Sequence, residues 1–233
     1  MKNAVVISLG GSMLYLKDDG IDVPYMQAFE KMVLELREKV PHIAIVVGGG
    51  RLASEYATKA RAETGSEFFA DRAAIKATRE NAAILIRELN GKAAPTPFTT
   101  PDEAAAAIEA GQIAVGGGFL EGLTTDACSV IVAERIGAKT VINVSHVDGV
   151  YDSDPRKNPN ARKFQTMAHG QLVELAVRSD DRLARTNFVF DLIACKLAQR
   201  SDITLQFVKG SDLSQVRAAI LGEKHDGTVV KKI

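Results

Sequence analysis

With 46% hydrophobic and 25% charged residues among 233, the chain has the composition of a globular protein able to bury a core, not of a disordered one. Its formal net charge of zero predicts neither a nucleic-acid nor a membrane partner. No apolar run reaches membrane-spanning length, and residues 1–10 read as a short strand running into glycines rather than a secretory leader, so a cytoplasmic protein is expected.

The first predicted element is a buried parallel strand, Ala4–Leu9, whose apolar run ends in Gly10-Gly11-Ser12. An amphipathic helix over 24–40 leads to a second strand, His42–Val47, which ends in Gly48-Gly49-Gly50. Helices over 52–63 and 70–89 precede residues 95–101, where three prolines and three threonines mark an exposed loop, the best candidate for a hinge or lid. A third strand, 112–115, ends in Gly116-Gly117-Gly118. A helix over 126–136, a strand over 139–144, a helix over 188–200, a strand over 203–208 and a helix over Leu213–Leu221 complete the series. Cys128 and Cys195 lie in Ala- and Val-rich helical surroundings without CxxC spacing, and read as buried thiols of a reducing compartment.

This alternation predicts an α/β fold: a mostly parallel sheet covered by helices on both faces, as one large unit or two tightly coupled lobes. Ligands of such sheets bind beyond the carboxyl ends of the strands, where all three glycine clusters fall. Glycine after a buried strand lets the backbone approach an anion, and the helix that follows offers unpaired N–H groups, so phosphate is the natural guest. The spacing is neither the GxxxxGK(S/T) of a P-loop nor a well-formed GxGxxG, and any one cluster is also compatible with a tight turn. In Thr124-Thr125-Asp126-Ala127, Thr125 or Asp126 is expected to cap a helix; two hydroxyls and a carboxylate there also suit a nucleotide base edge or a magnesium-bound phosphate. The string from His146 to Pro155 reads as a strand end followed by an Asp-Gly turn, which a surface hairpin would equally explain.

Taken together, VDGVYDSDPRKNP, the TTDA some twenty residues earlier and the GGG after the second strand resemble the amino acid kinase superfamily. Within it, DRAAIKATRENAAILI is similar to a helix of archaeal-type uridylate (UMP) kinases, and the likeness runs from Gly10 to Asp226-Gly227-Thr228. The resemblance implies a three-layer α/β/α sandwich with a mainly parallel sheet of about eight strands, residues 1–233 as a single domain with an acceptor-binding N-terminal half and an ATP-binding C-terminal half, and a homohexamer. It implies transfer of the γ-phosphate of ATP, carried with Mg²⁺, to UMP in pyrimidine nucleotide biosynthesis. Gly10, Gly11 and Ser12 would hold the transferring phosphates, and Gly48, Gly49 and Gly50 would meet the UMP phosphate and the ATP end. Asp71 would accept from the ribose hydroxyls of UMP. Phe119, Leu120, Glu121, Gly122, Leu123, Thr124 and Thr125 would line the uridine pocket. Ser145, His146, Tyr151 and Asp154 would surround the ATP base and ribose, and Lys196 would point at the transferred phosphoryl group, although lysine is usually a solvated surface residue.

Departures from the family pattern cluster near these ligands. Ser8 stands where many members place a catalytic lysine, and Ser54 where an arginine is expected, with Arg51 nearby as its substitute. Phe119, Leu120 and Leu123 are more apolar than their counterparts, His146 replaces asparagine and Leu192 replaces proline. They leave room for another acceptor, such as isopentenyl phosphate, or for nucleotide or oxyanion binding without transfer as in molybdenum storage proteins. His42, His146, His169 and His225 are scattered, and none is assigned to a metal or to an acceptor phosphate.

Overall fold

The sheet is built from strands that are apolar on both faces. In β1 (Ala4–Leu9), Val5, Ile7 and Leu9 pack to one side with Ile43, Ile45 and Val47 of β2 (His42–Val47), while Val6 packs to the other side with Ala44 and Val46. Strands buried twice over need helices above and below them and parallel neighbours joined by crossovers. The computed structural model, which describes residues 1, 3–16, 20–155, 158–179 and 190–233, has that arrangement.

With β3 (Ala114–Gly116), β4 (Thr140–Ser145), β5 (Thr166–Ala168), β6 (Thr204–Lys209) and β7 (Thr228–Lys231), the strands form one seven-stranded sheet in the order β3-β2-β1-β4-β6-β7-β5. The first five in that order are mutually parallel; β7 runs antiparallel to β6, and β5 parallel to β7. The face carrying Ile7 and Ile45 is covered by α1 (Val23–Leu36), α3 (Glu67–Glu88) and α8 (Leu213–Leu221), through Phe29, Leu85 and Val216 among others. The opposite face is covered by α4 (Pro101–Glu109), α5 (Thr125–Ile136), α6 (His169–Ser179) and α7 (Leu192–Ser201), through Ile108, Val130, Leu172 and Ala198. Against α3 lies α2 (Gly50–Thr64), whose C-terminus is closed by Gly65 in the left-handed conformation. No helix among the described residues is long and apolar enough to cross a membrane.

The α/β sandwich expected from the alternation is present, with differences at its margins. Two short strands, β5 and β7, and two helices, α4 and α6, were not anticipated. The strand expected over 112–115 begins at Ala114, and the helix expected over 188–200 begins at Leu192, its first two positions lying outside the described residues. Among the described residues the sheet has seven strands, where about eight are expected. What comes nearest to another strand is the stretch read as a lid. The Ala94 N–H donates to Ile113 O at 3.0 Å and the Phe98 N–H to Val115 O at 2.9 Å, with isolated parallel bridges Ala93–Ile113 and Phe98–Gly116. Pro95 and Pro97 lack the N–H groups that would join these bridges into a ladder. Phe98 is buried and Thr100 caps α4, so 95–101 is pinned to the sheet edge instead of hanging free as a lid.

Candidate active site

The carboxyl ends of β1 and β2 meet almost without side chains. The Gly48 N–H donates to Leu9 O at 2.8 Å and the Gly10 N–H to Val144 O at 2.9 Å, which sets the two glycine turns and the end of β4 side by side. A Cβ on Gly11 would overlap the Gly48 carbonyl oxygen and come within 2.5 Å of the Gly50 nitrogen. Gly50 has φ +57°, and a Cβ there would lie 2.8 Å from the Ser12 nitrogen. These positions therefore require glycine, and the result is a backbone-lined floor at the start of α2. Asn81, fully buried on α3, fastens it: its Nδ2 donates to Gly48 O at 2.9 Å and Gly49 O at 3.2 Å, and its Oδ1 accepts from the Tyr15 hydroxyl at 2.6 Å.

The loop after β3 is held by the same helix. Thr78 Oγ1 accepts from the Gly118 N–H at 2.8 Å while donating to Ile75 O at 2.6 Å, and Arg79 Nε donates to Gly118 O at 3.1 Å. Further along, Asp71 Oδ2 accepts from the Gly122 N–H at 2.9 Å, and Arg72 Nε meets Glu121 Oε1 at 2.9 Å. Asp71 thus faces the segment from Phe119 to Thr125, bringing these expected acceptor residues together. Phe119 and Leu123 pack their apolar surface against the core, whereas Leu120 is 54% exposed.

Behind this loop lies a polar cluster whose positions follow from strand register. Ser8 and Asn143 are paired residues of β1 and β4, so their side chains leave the same face of the sheet. Both donate to Asp126 Oδ1, at 3.2 and 3.3 Å. Asp126 belongs to the first turn of α5, and the cap of that helix is Thr124, not Thr125 or Asp126 as expected: Thr124 Oγ1 accepts from the Ala127 N–H at 3.2 Å. The shift frees Asp126 to face the strands. The Thr124 hydroxyl also donates to Asp191 Oδ2 at 2.9 Å, and Asp191 caps α7 by accepting from the Ile193 and Ala194 N–H groups at 2.5 and 3.2 Å. Asp126 keeps some surface open to solvent, but its carboxylate sits among protein groups beside a second carboxylate. Desolvation, and after it the charge of Asp191, push its pKa up to about 7. Burial likewise pushes the Cys128 thiol up to about 11 and raises the buried Cys195 thiol further.

Of the expected ATP-side residues, Ser145 ends β4 and His146 follows it, while Tyr151 and Asp154 belong to the segment that comes next. Ser145 Oγ accepts from the Val147 N–H at 3.2 Å, and His146 is exposed. Tyr151 donates to Asp148 Oδ1 at 2.8 Å and forms an antiparallel bridge with Lys163, so Asp148-Gly149 precedes the pairing and is not the turn of the hairpin expected there. The backbone carbonyl of Asp154 accepts from the Asn158 N–H at 2.9 Å. Lys196 is exposed on α7, one turn beyond the Asp191 cap, and Arg51 is exposed on α2, paired with Glu55 at 2.9 Å. Of the departures, Ser8 holds Asp126, while Phe119, Leu123 and Leu192 fill core space. His169 Nε2 lies 2.8 Å from Ile203 O and His225 Nε2 lies 2.7 Å from Gln206 Oε1, both engaged away from the glycine turns.

The family model described as "Amino acid kinase family" matches residues 3–209. The chain belongs to the amino acid kinase family. Among curated relatives of this amino acid kinase family member, it is 37% identical to the uridylate kinase of Methanospirillum hungatei over 98% of this chain and 94% of the relative. It is 38% identical to that of Thermococcus gammatolerans over 97% and 99%. The crystal structure of uridylate kinase from Archaeoglobus fulgidus superposes with a TM-score of 0.84 at 36% identity, covering 97% of this chain and 99% of that one.

In this amino acid kinase site the sequence points to the Asp126 carboxylate and to Ser8 one at a time, and does not single out Asn143, Thr78, Arg79 or Asn81. Asp126, Ser8 and Asn143 act as a set only once strand register is known. Thr78, Arg79 and Asn81 look like the polar side of an ordinary amphipathic helix. Their signal was faint: Thr78 and Asn81 are polar positions on the buried face of α3.

Proposed function

We propose that this chain is a uridylate kinase, moving the γ-phosphoryl group of Mg·ATP onto UMP to give UDP and ADP in pyrimidine nucleotide biosynthesis. The observation that carries the reading is the pair of glycine turns, too close for side chains, set between an acceptor loop facing Asp71 and the β4 end where ATP would lie. The names and full-length similarity of the relatives support the same choice of acceptor.

In this mechanism a UMP phosphate oxygen attacks the γ-phosphorus in line, and the bond from that phosphorus to the β-bridging oxygen breaks to release ADP. No covalent enzyme intermediate is needed, so the chain contributes alignment and charge neutralisation. Gly10, Gly11 and Ser12 hold the transferring phosphates, with the Gly10 N–H itself kept on Val144 O, Gly49 and Gly50 meet the junction with UMP, and Lys196 supplies a positive charge to the non-bridging oxygens. Asp71 takes the ribose hydroxyls, Phe119 to Thr125 surround the uracil with Arg51 nearer the acceptor phosphate, and Ser145, His146, Tyr151 and Asp154 flank the ATP base and ribose. Mg²⁺ enters as part of the ATP substrate, held chiefly by phosphate oxygens and water.

The expected working form is a cytoplasmic homohexamer, which light scattering of the purified chain checks. The activity is tested by incubating the chain with Mg·ATP and UMP and separating the nucleotides: equimolar UDP and ADP are expected, and ADP without UDP would refute the acceptor.

A further inference from the structure

The acceptor loop is fastened to α3 only near its two ends. At one end Thr78 and Arg79 hold Gly118; at the other Asp71 holds Gly122 and Arg72 holds Glu121. Beside these anchors an open cavity of about 640 Å³ runs along α3, from Arg72 and Ile75 to Glu80 and Ala83, with Phe119 and Glu121 of the loop at its edge. Leu123 packs on the core just beyond the outer anchor, and the exposed turn before it reaches α3 through its two polar contacts.

One of those contacts involves the carboxylate assigned to the acceptor ribose. A hydroxyl arriving at Asp71 meets a carboxylate that already accepts from the Gly122 N–H; its two oxygens can accept both, so the ligand and the loop share one anchor. The Arg72–Glu121 pair is a second tether that does not use the Asp71 oxygens. Arg72 is oriented before it pairs, because its guanidinium lies 4.7 Å from the Phe68 ring centroid and 5.7 Å from that of Phe69, with the two rings edge to face at 5.6 Å. Stacked there, a long side chain loses less freedom on pairing with a carboxylate. The hydrogen bond from Arg72 holds the Glu121 carboxyl below its usual range, so the pair is charged at neutral pH.

We infer that Arg72 and Glu121 form a latch that keeps the acceptor loop closed while Asp71 is engaged by the acceptor, making both positioning residues for acceptor binding. The inference rests on the acceptor site proposed above. An exposed ion pair with a stacked arginine has a modest effect, so Arg72→Gln or Glu121→Gln should raise KM for UMP by about twofold to fivefold. Turnover and KM for ATP should hold in Arg72→Gln, and the exchanged pair Arg72→Glu/Glu121→Arg should recover part of the loss.

The test combines these kinetics with hydrogen exchange of the peptide spanning 119–123, which needs no turnover. Faster exchange there in both single variants, slowed again in the exchanged pair, is expected. Unchanged exchange and unchanged KM in both, or losses that add without coupling, would overturn the latch. A parent chain inert toward UMP would refute the acceptor assignment instead, and the exchange measurement would still decide whether the latch exists.

Discussion

Replacing Gly11 by alanine puts the central claim about the glycine turns under direct strain. The added Cβ would overlap Gly48 O and stand 2.5 Å from Gly50 N, whereas ordinary van der Waals contact begins at 3.4 Å. Both obstacles are backbone, so neither can rotate away, and the two turns must separate by about 1 Å, a displacement that costs about 100-fold when it falls between reacting groups. Turnover of Gly11→Ala should therefore drop by about two orders of magnitude. Crowding of this kind also destabilises by about 1–3 kcal/mol, and each kcal/mol lowers Tm by about 2–4 °C for a chain of this length. Gly65→Ala is the matched control: Gly65 has φ +67° with nothing within 4 Å of its missing Cβ, so that variant should lose about 1–2 kcal/mol of stability and keep its turnover. Steady-state kinetics with a thermal melt on both variants separates the effects. Parental turnover in Gly11→Ala, with the chain folded, would refute the reasoning that the floor must be free of side chains.

Other expectations follow from the same geometry. Asp71→Asn should raise KM for UMP with little change in KM for ATP; equal effects on the two substrates in initial-rate kinetics would remove Asp71 from the acceptor site. Lys196→Ala should reduce kcat by about 100-fold while nucleotide binding, followed by calorimetry, changes little; full activity would exclude Lys196 from the mechanism. The Asp126 carboxyl, raised in the folded chain from its ordinary 3.8 to about 7, binds a proton in the folded state that the unfolded state releases. Its contribution to stability therefore falls as pH rises from about 4 to about 7. Asp126→Asn removes this dependence, so its Tm should decline less than that of the parent from pH 5 to 7; parallel curves would contradict the assigned shift.

How much of this was legible in the sequence depends on the range of the interaction concerned. Strands buried on both faces announce themselves as continuous apolar runs, and glycines directly after them mark the ligand end of the sheet, so β1, β2 and the floor of the site could be read locally. The three-residue strands β3 and β5 have no periodicity to detect, and β3 was found only roughly because Gly116-Gly117-Gly118 follows it. The start of α4 carried a readable signal, Thr100 before Pro101 with Asp102 and Glu103 in the first turn, which the neighbouring prolines disguised as loop. Those prolines suggested freedom, while pairing with β3 across the sheet edge pins the segment. Register between β1 and β4 sets the Ser8–Asn143–Asp126 cluster, and the Asp71 and Arg72 contacts join residues about fifty positions apart. No local spacing encodes such contacts. The family likeness pointed to Asp71 and the loop without indicating how either is held.

The most direct test is the choice of acceptor. Purified chain is given Mg·ATP with UMP, CMP, isopentenyl phosphate or N-acetylglutamate in turn, and ADP release is followed in a coupled assay. The account predicts strong release with UMP and little with the other three. Preference for another acceptor, or silence with all four from protein shown to bind ATP, would contradict it, and would mean that Ser54, Phe119 and His146 have redirected the site.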